Sequence, residues 1–308
     1  MYKICCTDRR ESESCTKQEQ LRRRNWISFV TGNYLEILHY CDSHTLIYGI
    51  VISYMFLIRK LVLSSSSRIV QTSTRAMAVD IGGMRKPYHD KSDFFDFKDL
   101  VSKEPFGQFK AWFEEASNHK EIYEANAMCL STATADGIPS ARMVLLKKFG
   151  PEGFTFFTNY SSRKAAELDS NPRAALVFYW PPFNRSVRVE GTVIRIEEAE
   201  SLAYFKSRPI SSQIGACVSN QSQVIRARSE LTDKETELLA QYGEGKEEVP
   251  KPDWGGYRVV PGVVEFWQGQ SNRIHDRIRF RTSREGETLD PELHREGDNG
   301  WIIERLAP

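Results

Sequence analysis

Apolar positions along the chain change their spacing twice, and each change marks a boundary. Between Leu46 and Ile58 thirteen uncharged residues run together, closed by Arg59-Lys60. From Phe106 the spacing becomes helical: Phe106, Phe109, Trp112, Phe113 and Ala116 recur at three and four residues and form one apolar face. The preceding Ser102-Lys103-Glu104-Pro105 predicts a helix capped by Ser102, with Pro105 in its first turn. Strand-like runs follow at Ala127–Thr134, Ser140–Lys147, Phe154–Thr158, Ala174–Trp180 and Ser186–Ile196, the first two joined by a hairpin turn at Ala135-Asp136-Gly137. Alternation in Val187-Arg188-Val189-Glu190 predicts one wet and one buried face. Helices are expected over Ser162–Ser170, Glu197–Ser207 and Arg228–Tyr242, and strands at Gly255–Val260, Val263–Trp267, Asp276–Arg281 and Gly300–Glu304. Short antiparallel strands with helices at their ends predict a mainly-β, α+β architecture: a barrel with flanking helices.

Composition narrows the class. Of 308 residues 40% are hydrophobic and 27% charged, which excludes a disordered chain and a multi-span membrane protein. The 42 Lys and Arg against 41 Asp and Glu leave +1, so no global field points to nucleic acid and any anion site must be local. Six cysteines are too few for a disulfide scaffold, and the chain favours a reducing compartment. Cys129, in Ala127-Met128-Cys129-Leu130, reads as a small core residue. Without a CxxC pair or a His-x-x-x-His spacing no metal is expected. No GxGxxG follows a strand, and P-loop and Gly-x-Ser-x-Gly motifs are missing.

Residues 1–76 read as an N-terminal extension, disordered or targeting, that carries the short hydrophobic segment 46–58. Residues 1–75 hold 11 Lys and Arg against 6 Asp and Glu, a net of +5. A spanning helix needs roughly 20 apolar residues, and 46–58 is short of that. The favoured reading is a dispensable leader ahead of Met77-Ala78 and a cytoplasmic protein. Organelle targeting, or membrane attachment through residues 1–75, is the alternative.

The candidate chemistry is cationic. Arg142 and Lys147 flank an apolar strand, and Arg163-Lys164 stand at a predicted helix start. Arg185 and Arg188 lie on the fifth strand. Arg208 closes a helix just before Ser211 and Ser212, and its i, i+4 spacing puts it on one helical face with Tyr204. Arg273 and Arg277 surround His275. Each alone reads as a solvated charge. Together with hydroxyls and a helix N-terminus they are what phosphate groups need. Trp180, Trp254, Trp267 and Trp301 sit in or beside strands, where a core role is the commoner one.

Several of these runs resemble the pyridoxine (pyridoxamine) 5′-phosphate oxidase family. They are the segment from Val264-Glu265-Phe266-Trp267-Gln268-Gly269 through Arg273-Ile274-His275-Asp276-Arg277, Ser140-Ala141-Arg142-Met143-Val144-Leu145-Leu146-Lys147, Phe157-Thr158-Asn159, Ser162-Arg163-Lys164, and Ser207-Arg208-Pro209 with Ser211-Ser212-Gln213-Ile214-Gly215. The ending Glu304-Arg305-Leu306-Ala307-Pro308 fits as well. The likeness covers 77–308 and is weakest around 282–298. It implies that 77–308 is an FMN-binding split β-barrel with a C-terminal dimerisation region, working as a homodimer with FMN sites at the subunit interface. The implied reaction oxidises pyridoxine 5′-phosphate and pyridoxamine 5′-phosphate to pyridoxal 5′-phosphate, using O2 and releasing H2O2, with NH3 from the amine.

By that resemblance the flavin contacts fall on Arg142, Met143, Val144, Leu145, Phe157, Thr158, Arg163, Lys164, Ser186, Gln221, Ser222, Trp267 and Arg277. The substrate phosphate falls to Lys147, Tyr204, Arg208 and Ser212. Arg273 and His275 approach the pyridine ring as the catalytic pair, and Arg85, Lys86 and Tyr88 belong to a segment that folds over the ligand. Ser186 stands where the family usually has glutamine, so a shorter hydroxyl replaces an amide at a flavin contact. Two rival expectations are a flavin reductase or haem-binding relative on the same barrel, and a non-catalytic protein that stores pyridoxal 5′-phosphate.

Overall fold

The computed structural model describes Gly83, Tyr88 and residues 94–243 and 246–308. These belong to the second of two units into which the chain divides, Gly82–Pro308. The expected extension 1–76 with its 46–58 segment, and Arg85 and Lys86, lie outside the described residues.

Helix α1 (Pro105–Asn118) packs the predicted apolar face inward, with Phe106, Phe109, Trp112 and Ala116 buried. Its cap is Glu104 rather than the expected Ser102. The Glu104 carboxylate accepts from the N–H groups of Phe106 and Gly107, while Ser102 Oγ accepts from Glu104 N–H. A longer acceptor directly before Pro105 reaches two orphan donors of the first turn, which serine two residues further back does not.

The strands are β1 (Ala127–Ala133), β2 (Pro139–Leu145), β3 (Lys148–Gly150), β4 (Gly153–Asn159), β5 (Arg173–Trp180), β6 (Arg185–Arg195), β7 (Trp254–Gln268), β8 (Asp276–Thr282), β9 (His294–Glu296) and β10 (Trp301–Arg305). The remaining α-helices are α2 (Arg163–Ser170), α3 (Glu198–Ser207), α4 (Ile210–Val218) and α5 (Ser229–Tyr242). All strands join one antiparallel sheet in the order β2-β1-β5-β6-β7-β8-β10-β9, with β4 pairing β3 and β7. This is the expected α+β class.

Strand β7 corrects one expectation. The runs 255–260 and 263–267 are a single strand, because Pro261-Gly262 is absorbed by a bulge. Glu190 of β6 faces Val263 and Gly191 faces Pro261, which leaves Gly262 as the extra residue. A bulge is where a strand tolerates a proline that lacks a donor. On its other edge β7 pairs β4 through residues 254–259 and β8 through 263–268, so the sheet divides along this strand.

The core fills the space beneath α1. Phe109 is fully buried and meets Phe149, Phe154 and Phe178 edge-on at 4.8–5.0 Å. A smaller cluster joins Phe205, Ile214, Val249 and Trp254. Cys129 is not in the core: Met128 and Leu130 point inward, and Cys129 is half-buried on the opposite face of β1. Helix α4 was not expected from the sequence. Among the described residues no helix is long and apolar enough to cross a membrane.

Replacing Phe109 by alanine should cost about 3–5 kcal/mol, the usual penalty for emptying a fully buried aromatic site. Urea unfolding should show a lower midpoint with an unchanged slope.

Candidate active site

The first anion pole forms where α2 begins. Ser162 caps the helix through its Oγ, which accepts from Ala165 N–H, so Arg163 and Lys164 sit in the first turn. The backbone N–H of Arg163 donates to Ser222 Oγ at 3.2 Å, and Ser222 takes the left-handed conformation, φ 74°. Lys164 is buried and donates to Thr158 Oγ1 at 3.1 Å and Gln221 Oε1 at 2.6 Å. Burial, followed by the nearby Arg142 guanidinium, pulls the Lys164 ammonium down to about 8, against an opposing pull from Glu167. From β2, Arg142 donates to Thr132 Oγ1 and Ser140 Oγ and reaches Glu167 at 3.3 Å. The same carboxylate binds Arg163 Nε at 2.7 Å. The sequence-expected group Arg142, Thr158, Arg163, Lys164, Gln221 and Ser222 is therefore brought together. Met143 points outward from β2, whereas Val144 packs against the core. Leu145, the last residue of that strand, is half-buried.

The second pole lies at the α3–α4 corner. Arg208 does not continue the α3 face with Tyr204, as the spacing predicts, because it has already left the helix as its C-cap with extended backbone. The two still converge, on aromatic rings. Tyr204 stacks on Phe157 at 4.1 Å, Phe157 stacks on Trp254 at 5.1 Å, and the Arg208 guanidinium lies 4.8 Å from the Trp254 ring centre. Gln213 Nε2 donates to the carbonyls of Lys206 and Arg208 and so pins the corner. Ser212 stands in the first turn of α4, its N–H on the Pro209 carbonyl. Lys147 is exposed just past β2, and its N–H donates to Thr155 of β4. Arg208 Nη1 is buried without a hydrogen-bond partner among the described residues. Burial also pushes this guanidinium below its ordinary pKa. A buried cationic donor left unpaired is costly, and an anion is its natural complement.

The third group lies on the face of β6–β7–β8. Ser186, Trp267 and Arg277 form one row across the three strands. Two residues before Trp267 on β7, the buried Glu265 binds Arg277 Nε at 2.7 Å and also takes Arg188. Val177, Ser186, Arg188, Glu265 and Trp267 line a cleft of about 320 Å³. Beyond β7 the loop 269–275 brings His275 to 4.9 Å from Trp267 and 6.0 Å from Tyr88. The Gln270 N–H donates to His275 Nδ1 at 2.9 Å, so a neutral His275 carries its proton on Nε2. Burial and then Arg273 lower the His275 pKa, while Asp276 opposes them. Arg273 is exposed and held at φ 70°, a conformation a non-glycine residue seldom adopts.

These groups lie toward opposite ends of β7. Phe157 pairs with Gly256 and Ser186 with Trp267, eleven residues further on, or about 36 Å of strand contour. The sequence did not single out Glu167 and Glu265 as partners of these cations. For Glu167 the signal was available, since Arg163 and Glu167 are spaced i, i+4.

Comparison with known proteins converges on one group. The family model described as pyridoxamine 5′-phosphate oxidase matches residues 115–242. A second, described as the pyridoxine 5′-phosphate oxidase C-terminal dimerisation region, matches 254–308. A Bombyx mori protein named pyridoxine/pyridoxamine 5′-phosphate oxidase is 53% identical over 82% of this chain and 97% of its own length. The Bos taurus pyridoxine-5′-phosphate oxidase is 57% identical over 76% of this chain and 90% of its own. Among solved structures, PhzG from Burkholderia lata, in complex with tetrahydrophenazine-1-carboxylic acid, superposes with a TM-score of 0.60 at 28% identity, covering 70% of this chain and 98% of that one.

The depressed Lys164 pKa gives the first pole a pH dependence with a definite sign. Above about 8 the free site loses its ammonium, whereas a bound phosphate dianion keeps it protonated. Affinity for a phosphate-bearing ligand should fall as pH rises through that value, by up to about tenfold per pH unit. Calorimetric titration from pH 7 to 10 checks this, and K164M should bind weakly with this dependence removed.

Proposed function

This chain belongs to the pyridoxine/pyridoxamine 5′-phosphate oxidase family, and from that we propose how its residues divide the work. It is an oxidoreductase that converts pyridoxine 5′-phosphate and pyridoxamine 5′-phosphate to pyridoxal 5′-phosphate. The cofactor is FMN, held by a homodimer in which each site takes the first pole from one protomer and the β6–β8 face from the other. The observation that carries the substrate side is the buried, unpaired Nη1 of Arg208, beside Tyr204 and Ser212.

The donor set suits a flavin mononucleotide. Arg142, Arg163, Lys164, Gln221 and Ser222 offer charge, amide and hydroxyl groups around a helix start, which matches a phosphate. Trp267, Ser186 and Arg277 offer a half-exposed ring, a hydroxyl and a guanidinium to a planar heterocycle. Since these two groups sit toward opposite ends of β7, a second protomer supplying its β6–β8 face completes the site. When bound, FMN would supply the two-electron chemistry between substrate and O2, with two protons completing H2O2.

The chain's own residues bind and orient. Arg208, Tyr204, Ser212 and Lys147 anchor the substrate phosphate, so that binding energy goes into placing the reacting carbon. Arg273 presents an exposed cation to the pyridine ring, and His275 donates from Nε2 with Nδ1 already committed. Tyr88, beside Trp267 and His275, is placed to cover the ligand. Ser186, shorter than the family's usual glutamine, leaves room for a bridging water in the adjoining cleft.

The test is an absorbance spectrum taken before and after anaerobic addition of pyridoxamine 5′-phosphate. A flavin band that bleaches and returns with oxygen is expected. A band indifferent to substrate would point to a flavin protein of another reaction, and a colourless protein unable to take FMN would remove the cofactor. R208A should raise KM at least about tenfold, the worth of a charge-assisted bond, with flavin content unchanged. An unaltered KM would reassign the second pole.

A further inference from the structure

Building on the FMN reading, we propose that Glu167 is the positioning residue of the cofactor-phosphate pole. It fixes the guanidinium groups of Arg142 and Arg163 in place before the anion arrives.

The geometry is that of a clamp. Glu167 is buried on α2, yet both of its oxygens are engaged from different elements. Oε1 accepts from Arg163 Nε on its own helix, and Oε2 accepts from Thr132 Oγ1 of β1 and from Arg142 Nη2 of β2. Thr132 in turn accepts from Arg142 Nη1, so carboxylate, hydroxyl and guanidinium close a ring. Arg142 and Arg163 come from separate elements and share this carboxylate. More than half of the Arg163 side chain remains exposed to a ligand.

Charge points the same way. Arg142, Arg163 and Lys164 crowd one place and repel, and the Arg142 guanidinium disfavours the Lys164 ammonium. Burial alone would raise the Glu167 carboxyl, but the Thr132 hydroxyl and the two guanidinium groups outweigh it and keep it ionised. A carboxylate inside a phosphate site lowers the local positive potential, so its value lies in the order it imposes. The groups facing Lys164 are Arg142 from β2, Thr158 from β4, Gln221 and Glu167 itself.

The experiment measures the FMN dissociation constant of flavin-stripped full-length protein by quenching of flavin fluorescence, across pH, with Tm recorded in parallel. In E167A the constant should rise at least about tenfold, because two guanidinium groups lose their common anchor. In E167Q the amide oxygen keeps one acceptor, so affinity near pH 7 should stay within about threefold of wild type. The same variant removes a negative charge beside Lys164, so the alkaline loss of affinity should begin about half a pH unit lower or more. E167A binding FMN like wild type would overturn the assignment, as would E167Q binding as weakly as E167A. If E167A does not fold, the pH profile of E167Q decides alone: a downward shift supports the assignment and an unmoved profile overturns it. A wild-type chain that takes no FMN defeats the cofactor reading and this inference with it, whereas wild-type binding matched by E167A defeats the inference only.

Discussion

Cations gathered at one place repel one another, and this molecule is arranged around that repulsion. Two unit charges about 4 Å apart interact by about 4 kcal/mol at the effective dielectric of a protein surface. Two of the three cationic groups are held by a buried carboxylate: Glu167 between Arg142 and Arg163, and Glu265 between Arg188 and Arg277. Burial should favour protonation of both acids, yet hydrogen bonds and the adjacent guanidinium groups hold both below the ordinary carboxylate range. Both clamps therefore stay ionised at neutral pH. Donors fixed in advance need little rearrangement when a ligand arrives, which is the condition for electrostatic help during a reaction.

Strand β7 distributes these clamps. Its first half borders β4, whose Thr158 and Phe157 touch the first two poles, and its second half carries Glu265 and Trp267. The bulge at Gly262 lets one strand serve both halves of the sheet. The matched dimerisation region, residues 254–308, begins at the first residue of this strand. The elements that separate the poles within a chain thus belong to the region matched for assembly. Under the proposed function, folding builds half-sites and pairing of protomers completes them.

How much of this the sequence carried depends on which signals were local. Helix α1 was legible because five apolar residues keep helical spacing, and β6 because its alternation matches its two faces. The division of β7 was misread because Pro261-Gly262 is a breaker by local rules, and only the partner Gly191 makes it a bulge. Helix α4 gave little sign, since Ile210-Ser211-Ser212-Gln213 follows a proline and offers no long apolar period. Cys129 was misplaced because a short apolar run does not say which face is inside. The cations stood out by their positions at strand and helix ends. Their carboxylate partners did not, because Glu167 and Glu265 look like ordinary surface acids until long-range pairing buries them.

The loop after β7 shows how position sets a role for neighbouring groups. Asp276 accepts from Phe95 N–H and Gln270 Nε2 and pairs with Arg305, which ties the loop to both ends of the described unit. From that anchored loop Gln270 commits Nδ1 of His275, so only Nε2 remains to face a ligand. Burial and Arg273 keep the imidazole neutral more readily than in water, so His275 supplies direction rather than charge. The exposed guanidinium of Arg273 stands beside it. Under the proposed function, a guanidinium beside an oriented imidazole would give a pyridine ring one electrostatic contact and one directed donor. That division would orient the ring by charge from one group and by direction from the other.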